Sequence, residues 1–260
     1  MAKRIAVDIG NSTIACGLFE NDRMVSKWYH SIDETEEAAL SLSEKQRSEN
    51  AVTVAISSVV PSARERLLAL LQKAGIPSIA ISLQSQTSIS DTYPTLGHDR
   101  LANTMAVYKL YVKGAADAGI VIDFGTATTL TGVSKAGNLL GGMITLGLRE
   151  TMKAIYSNID QLPLLDVENV FQRDKINPLA TTTEEAILNG TVLGHIAMVE
   201  HWIAEGKRKM GGSVVVVATG GLSHFFSDAL TGSVNYFDAD LTLKGINFIA
   251  GEAMDLKDPA

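Results

Sequence analysis

The sequence predicts an α/β protein built from two similar halves, each with a mixed sheet. Three observations carry that reading. Asp-x-Gly turns recur 115 residues apart, at Asp8-Ile9-Gly10 and Asp123-Phe124-Gly125. Each follows a short β-branched apolar run and precedes a second one, Ile14 to Phe19 and Leu130 to Val133, so each reads as a hairpin. Around the hairpins, strand patterns alternate with helix patterns, without a low-complexity linker or short repeat.

After the first hairpin, Met24 to Tyr29 reads as a strand, and Asp33 as the cap of a helix over Glu36 to Gln46. Val52 to Ser57 is a buried strand. Pro61 suits the first turn of a helix running to Lys73 and ended by Gly75. Ile79 to Ser82 is a further strand, Gln84 to Thr95 a polar loop, and Leu101 to Val112 a helix with an apolar face. Lys113-Gly114-Ala115 is the best boundary, dividing the chain into domains 1–114 and 115–260. In the second half, strands at Gly119 to Ile122 and Leu130 to Val133 lead to Gly141-Gly142-Met143-Ile144 and a helix from Leu148 to Tyr156. Thr183 opens a long helix towards Glu205. Ser213 to Ala218 is a buried strand ending in Thr219-Gly220-Gly221, and a final helix runs from Ile246 to about Met254.

Composition narrows the function. The 260 residues are 46% hydrophobic, enough for a full core, and the net charge of −7 argues against a nucleic-acid partner. No apolar run approaches the ~20 residues of a membrane span. Met-Ala-Lys-Arg runs directly into a strand that already carries Asp8, which is unlike a signal peptide. The single cysteine, Cys16, lies in an apolar strand and reads as a buried small hydrophobe of a cytoplasmic protein. No Cys/His cluster has zinc spacing, and no Gly-x-x-x-x-Gly-Lys-Ser/Thr loop is present.

The residue types of the two turns suit a phosphate clamp. Gly10 and Gly125 lack a Cβ, so the backbone there can approach phosphate oxygens and direct N–H groups at them. Asn11, Ser12, Thr13, Thr126, Thr128 and Thr129 add short hydrogen-bonding side chains. Asp8 and Asp123 would repel bare phosphate, and each makes sense as a ligand of a cation, directly or through its waters. A single Asp-x-Gly is most simply an Asx turn closing a hairpin; the second copy at half-chain spacing favours the clamp.

Between the turns, Gly97-His98-Asp99-Arg100 ends the polar loop and starts a helix. Asp99 could accept the proton of an attacking hydroxyl, and Arg100 could grip a carboxylate or a transferring phosphoryl group. The same pair also fits an N-cap carboxylate and a surface arginine. Taken alone, His98 reads as a solvent-facing loop residue. Gly141-Gly142 and Thr219-Gly220-Gly221 each suit either close ligand approach or tight packing.

In order along the chain stand Asp8-Ile9-Gly10-Asn11-Ser12, Ser57-Ser58-Val59-Val60-Pro61, Tyr93-Pro94-Thr95-Leu96-Gly97-His98-Asp99-Arg100, Asp123-Phe124-Gly125-Thr126-Ala127-Thr128-Thr129, Gly141-Gly142-Met143-Ile144, Thr183-Glu184-Glu185-Ala186 and Thr219-Gly220-Gly221. This succession resembles the type III pantothenate kinases, of the actin-like ATPase and sugar-kinase superfamily, from Asp8 to about Met254. The resemblance implies two ribonuclease-H-like domains with the active site in the cleft between them. It implies ATP-dependent phosphorylation of the 4′-hydroxyl of pantothenate, the first step to coenzyme A. Asp8, with Gly10, Asn11, Ser12 and Thr13, would hold the ATP phosphates and Mg²⁺. Gly125, Thr126 and Thr128 would meet phosphate, and Asp123 would bind a monovalent cation, K⁺ or NH₄⁺. Asp99 would be the general base, and Tyr93, Gly97, His98 and Arg100 would line the pantothenate site. Thr183 would reach pantothenate across a homodimer interface. The family usually has Gly-Gly-x-Ile-x-Pro-Gly; here Leu146 stands at the proline position.

Overall fold

The computed structural model describes residues 3–166 and 177–256. The chain divides into two compact units, the first comprising 1–113, 136–139 and 240–260, the second 114–135 and 140–239.

The first unit begins with β1 (Lys3–Ile9), β2 (Thr13–Glu20) and β3 (Arg23–Ser31), an antiparallel meander. Helix α1 (Thr35–Glu49) leads to β4 (Thr53–Ser58), and α2 (Pro61–Lys73) to β5 (Ser78–Ala80). Both β4 and β5 are parallel additions, giving the order β3-β2-β1-β4-β5. Strand alternation explains the layering. Ile5, Val7, Ile9, Cys16, Leu18, Val54 and Ile56 face one way and pack with Ala38 and Leu42 of α1 and Leu67 and Leu71 of α2. On the other face, Gly17, Ala6 and Ala55 form a row of small residues across β2, β1 and β4. Helices α3 (His98–Val107) and α6 (Leu241–Asp255) belong to this unit. A Cβ on Gly17 would lie 3.3 Å from Leu243 of α6, and one on Gly245 of α6 would collide with the Ala102 backbone of α3. Arg4 Nε donates to Asn247 Oδ1 at 2.9 Å, and Thr242 Oγ1 to Asn103 Oδ1 at 2.8 Å. The sequence reading puts this last helix in the second domain, whereas its packing joins it to the first unit.

The second unit repeats the plan. It contains β6 (Ala118–Phe124), β7 (Ala127–Ser134), β8 (Leu139–Leu146, whose first residue groups with the first unit), β9 (Val214–Thr219) and β10 (Tyr236–Phe237). Their order is β8-β7-β6-β9-β10, the first sheet's order position for position. Ile120, Ile122, Phe124, Val216 and Ala218 face α4 (Leu148–Asn158) and α5 (Thr183–Met210), which contribute Leu148, Met152, Leu188, Val192, Val199 and Ile203. This is the ribonuclease-H-like arrangement, present twice.

Two local expectations are corrected. Asp33 does not cap α1: the cap position is Glu34, whose carboxylate turns back to accept the Ser31 N–H at 2.9 Å. The helix expected over Leu101 to Val112 starts at His98 and changes at Tyr108 into one turn of π-helix ending at Val112.

Candidate active site

The first turn closes on itself with few atoms. Gly10 N–H donates to the Thr13 carbonyl at 3.0 Å, and the Ser12 carbonyl accepts from Ile32 N–H at 3.0 Å. The glycine N–H is therefore used inside the turn. The Asn11 and Ser12 N–H groups make no hydrogen bond among the described residues, and both side chains are exposed. Gly10 is not in the left-handed region, and a Cβ there would meet nothing closer than the Thr13 carbonyl, 3.6 Å away. The turn itself does not demand glycine, so the missing side chain is best explained by something approaching from outside. Asp8 sits half-buried two residues beyond Ala6, at the end of β1, flanked in the sheet by Ala15 and Ser57. A carboxylate beside open N–H groups and exposed amide and hydroxyl side chains is a donor set that fits a hydrated divalent cation on phosphate.

The polar loop before α3 is anchored in its first half, at Thr87, Ser88 and Ser90. Glu252 of α6 accepts from Thr87 N–H at 2.9 Å, Ser88 N–H at 3.2 Å and Lys109 Nζ at 2.8 Å. Ser90 N–H donates to the Gly137 carbonyl at 3.0 Å. The loop then delivers four residues together. Gly97 is the cap of α3, and Asp99 lies in its first turn, where peptide dipoles favour a carboxylate. Asp99 Oδ1 accepts the Arg100 N–H at 2.7 Å. A Cβ on Gly97 would collide with that oxygen, so the glycine sets where the carboxylate rests. Arg100 is only 6% exposed, and its Nη1 donates to the Tyr93 hydroxyl at 2.7 Å. The reading of Arg100 as a surface arginine is therefore excluded. His98, half-buried, shares a cavity of about 440 Å³ with Ser82, Leu83, Gln84, Thr92 and Pro94.

The second turn is one residue shorter. Its last strand pair is Phe124–Thr128, against Ile9–Ile14 in the first. Gly125 N–H donates to the Ala127 carbonyl at 3.1 Å, leaving the Thr126 N–H without a hydrogen bond among the described residues. A Cβ on Gly125 would again find ordinary space, 3.5 Å from Ala127 O and Asp123 Oδ1. Two supports press on this turn. Gly220, at φ +93°, follows β9 where Asp123 pairs with Thr219, and a Cβ there would strike the Asp123 carboxylate and the Phe124 backbone. Gly147, after β8, donates its N–H to the Thr126 carbonyl at 2.8 Å. Residue 146 is not the anchor: Leu146 is 53% exposed, and the contact that the loop makes with the turn comes from Gly147.

Thr128 departs from expectation. Strand alternation sets Thr129 on the face of Asp123 and Thr128 on that of Phe124, which points into the core. Thr128 is completely buried, and its hydroxyl hydrogen-bonds His195 Nε2 at 2.9 Å. Its hydroxyl is thus turned into the core and spent on the histidine, whereas Thr126 is exposed at the turn. His195 escaped the sequence reading. Its signal is a polar residue on the stripe Leu188, Val192, His195, Val199 of α5, where periodicity asks for an apolar one. Burial pushes its pKa down to about 4. Thr183, the first residue of α5, is exposed, and Thr182 caps the helix by accepting the Glu185 N–H at 3.3 Å. Among the described residues no cluster of three or more His, Cys, Asp or Glu has metal-binding spacing, and no helix is long and apolar enough to cross a membrane.

Comparison with known proteins identifies the family. Residues 4–205 match the family model of the type III pantothenate kinases. Type III pantothenate kinases of Agathobacter rectalis (31% identical, 94% of this chain and 95% of that protein) and Bifidobacterium longum subsp. infantis (32%, 94% and 97%) align over nearly full length. Among solved structures, a ROK family glucokinase from Streptomyces griseus in complex with glucose and AMPPNP superposes with a TM-score of 0.56 at 12% identity, covering 96% of this chain and 100% of that one. The activator of 2-hydroxyisocaproyl-CoA dehydratase from Clostridium difficile, with bound ADPNP, gives 0.56 at 11%, covering 99% and 98%. These likenesses establish the actin-like ATPase fold. With the sequence match across most of its length, the chain belongs to the type III pantothenate kinase family.

Proposed function

We propose that Asp99 is the base that takes the proton from the 4′-hydroxyl of pantothenate as that oxygen attacks the γ-phosphorus of ATP. The chain is a pantothenate kinase: ATP phosphorylates pantothenate to 4′-phosphopantothenate, the first step of coenzyme A biosynthesis. The observation that carries the residue assignment is the Asp99–Arg100–Tyr93 cluster. One oxygen of Asp99 is fixed on a backbone N–H, while its other oxygen makes no hydrogen bond among the described residues and is available for a proton. Arg100, nearly buried and oriented by the Tyr93 hydroxyl, presents a fixed cation to the pantothenate carboxylate. Gly97 and His98 line the same approach. As the new O–P bond forms, the bond from the γ-phosphorus to the β-bridging oxygen breaks, ADP leaves, and the proton rests on Asp99 until solvent removes it.

The first turn holds the ATP phosphates through the Asn11 and Ser12 N–H groups and the Asn11, Ser12 and Thr13 side chains, with Gly10 giving access. Asp8 orients a hydrated Mg²⁺, which when bound offsets phosphate charge. The second turn meets phosphate through Gly125 and Thr126, and Asp123, braced by Gly220, serves K⁺ or NH₄⁺. A single carboxylate among carbonyl and hydroxyl oxygens suits a monovalent ion better than Mg²⁺. The enzyme works in the cytoplasm as a homodimer, in which Thr183 at the start of α5 reaches the partner's pantothenate.

The test is phosphoryl transfer at fixed Mg·ATP across a panel of small hydroxy acids and sugars, with K⁺ exchanged for Na⁺ or tetramethylammonium. Pantothenate should be the sole efficient acceptor. Activity should depend strongly on K⁺ or NH₄⁺ in the wild type and be lost in Asp123→Ala. Full activity without either ion would give the second carboxylate another role.

A further inference from the structure

A buried histidine in the helix behind the second turn is tied to both residues that close that turn. His195 Nε2 and Thr128 Oγ1 are 2.9 Å apart, and both side chains are shut away from solvent. The His195 ring lies 5.7 Å from Phe226 at 29°, and Phe226 stacks on Phe124 at 4.4 Å and 19°. His195 and Phe124 also meet directly, at 6.3 Å and 48°. Phe124 and Thr128 are the last paired residues before Gly125, Thr126 and Ala127. One imidazole therefore reaches both feet of the loop, Phe124 by a tilted ring contact and by way of Phe226, and Thr128 through a nitrogen.

The molecule contains its own control. In the first turn the matching pair is Ile9–Ile14, both fully buried and wholly apolar. The same strand–turn–strand unit thus folds without any polar atom at this place. Burying an imidazole and a hydroxyl costs free energy unless they satisfy each other, and leaving either one alone would cost more than an apolar pair. A directional bond also fixes a distance that aliphatic contact leaves loose. Burial keeps the ring neutral, with its pKa lowered to about 4, so the bond persists across the physiological range.

We propose that His195 is a positioning residue for nucleotide: through Thr128 and the Phe124–Phe226 stack it sets the height and register of the second turn, and so the aim of the Thr126 N–H and hydroxyl at phosphate. The proposal rests on the reading of that turn as a phosphate-binding element. It gives the buried Thr128 an indirect role, since its hydroxyl is spent on the histidine.

The experiment is a double-mutant cycle on the full-length enzyme. Thr128→Val preserves shape and removes the hydroxyl; His195→Phe preserves the stack and removes the nitrogens; the double variant removes both ends of the bond. The readouts are the affinity for a non-hydrolysable ATP analogue by calorimetry, the KM values for ATP and pantothenate, kcat, and the thermal midpoint. Each single variant should weaken nucleotide binding and raise the ATP KM about 5- to 20-fold, the pantothenate KM moving less than about twofold. The double variant should be no worse than the poorer single one, because both break the same bond. His195→Gln, which places an amide near the Nε2 position, should recover most of the loss; if His195→Phe fails to fold, His195→Leu, which also removes both ring nitrogens, takes its place in the cycle. Lowered thermal midpoints with unchanged nucleotide affinity would reduce the bond to core packing and overturn the proposal. Multiplicative losses in the double variant would overturn it too. Calorimetry needs no acceptor, so a wild type that binds nucleotide but fails to phosphorylate pantothenate would refute the acceptor assignment separately.

Discussion

Asp99 and Arg100 stand side by side in the sequence, yet their environments part at once. Asp99 stays half-exposed in the first turn of α3, whereas Arg100 goes into the protein against the Tyr93 hydroxyl. That division suits a proton acceptor that must meet solvent and a cation that must not wander. Asp99→Asn keeps the shape and removes the basicity, so kcat should fall about 10²–10⁴-fold with little change in the pantothenate KM; activity within about threefold of wild type would remove Asp99 from the base role. His195 makes a second prediction through acid stability. Its pKa of about 4 in the fold lies below the ordinary 6.5 of an unfolded histidine, so the unfolded chain binds the extra proton between those values. The contribution of the neutral ring is complete above pH 6.5 and is lost as pH falls towards 4. Its named contacts are Thr128, Phe124 and Phe226, none of them titratable in that range. The stability difference between wild type and His195→Phe, measured by urea unfolding, should therefore rise with pH across this window and be flat above it. A difference independent of pH would mean that the histidine is not buried neutral.

At the scale of elements, what was legible followed from periodicity. The Asp-x-Gly hairpins, the strand after α1, the proline-started α2 and the long α5 all lie where alternation or a helical stripe put them. What escaped depends on contacts distant in sequence. The two-residue strand β10 has no pattern of its own and exists because Tyr236 and Phe237 pair with Val217 and Ala218. Thr128 looked like its neighbours Thr126 and Thr129, and only the register of β6 against β7 separates the one that faces the core. The last helix reads as a simple continuation of the second half, but Gly245 lets it lie directly on the α3 backbone of the first unit. Gly245→Ala should lower stability by about 1–3 kcal/mol, since the obstacle is main chain and cannot rotate away. Gly251→Ala in the same helix meets only Arg4 at 3.8 Å and should instead gain about 0.5–1 kcal/mol from helix propensity. Denaturant midpoints with unchanged slopes would check both, and equal effects at the two sites would refute close packing at residue 245.

For the whole molecule, the second unit carries exposed apolar and small residues that would suit the proposed homodimer. On β8, the outward positions Leu140, Ile144 and Leu146 are 48%, 61% and 53% exposed, an apolar row on an edge strand that is costly to leave in water. Along α5, Gly190, Gly194 and Ala197 are exposed at helical spacing, and nothing lies within 4 Å of a Cβ built on either glycine. Small residues let a second helix come close, and a two-fold axis would bring the same strip from a second copy. This is also the helix that starts at Thr183, so dimerisation and a shared pantothenate site would have a common cause. Gly194→Arg puts a long charged side chain on that strip, while within the protomer it meets open space and improves helix propensity. The wild type should sediment at twice the 27.7 kDa chain mass and the variant at the single-chain mass. The variant should keep its affinity for an ATP analogue within about twofold, because both phosphate turns belong to one chain, yet lose most transfer to pantothenate. A monomeric variant with wild-type transfer would mean that Thr183 serves its own chain or none, and a monomeric, fully active wild type would end the dimer proposal altogether.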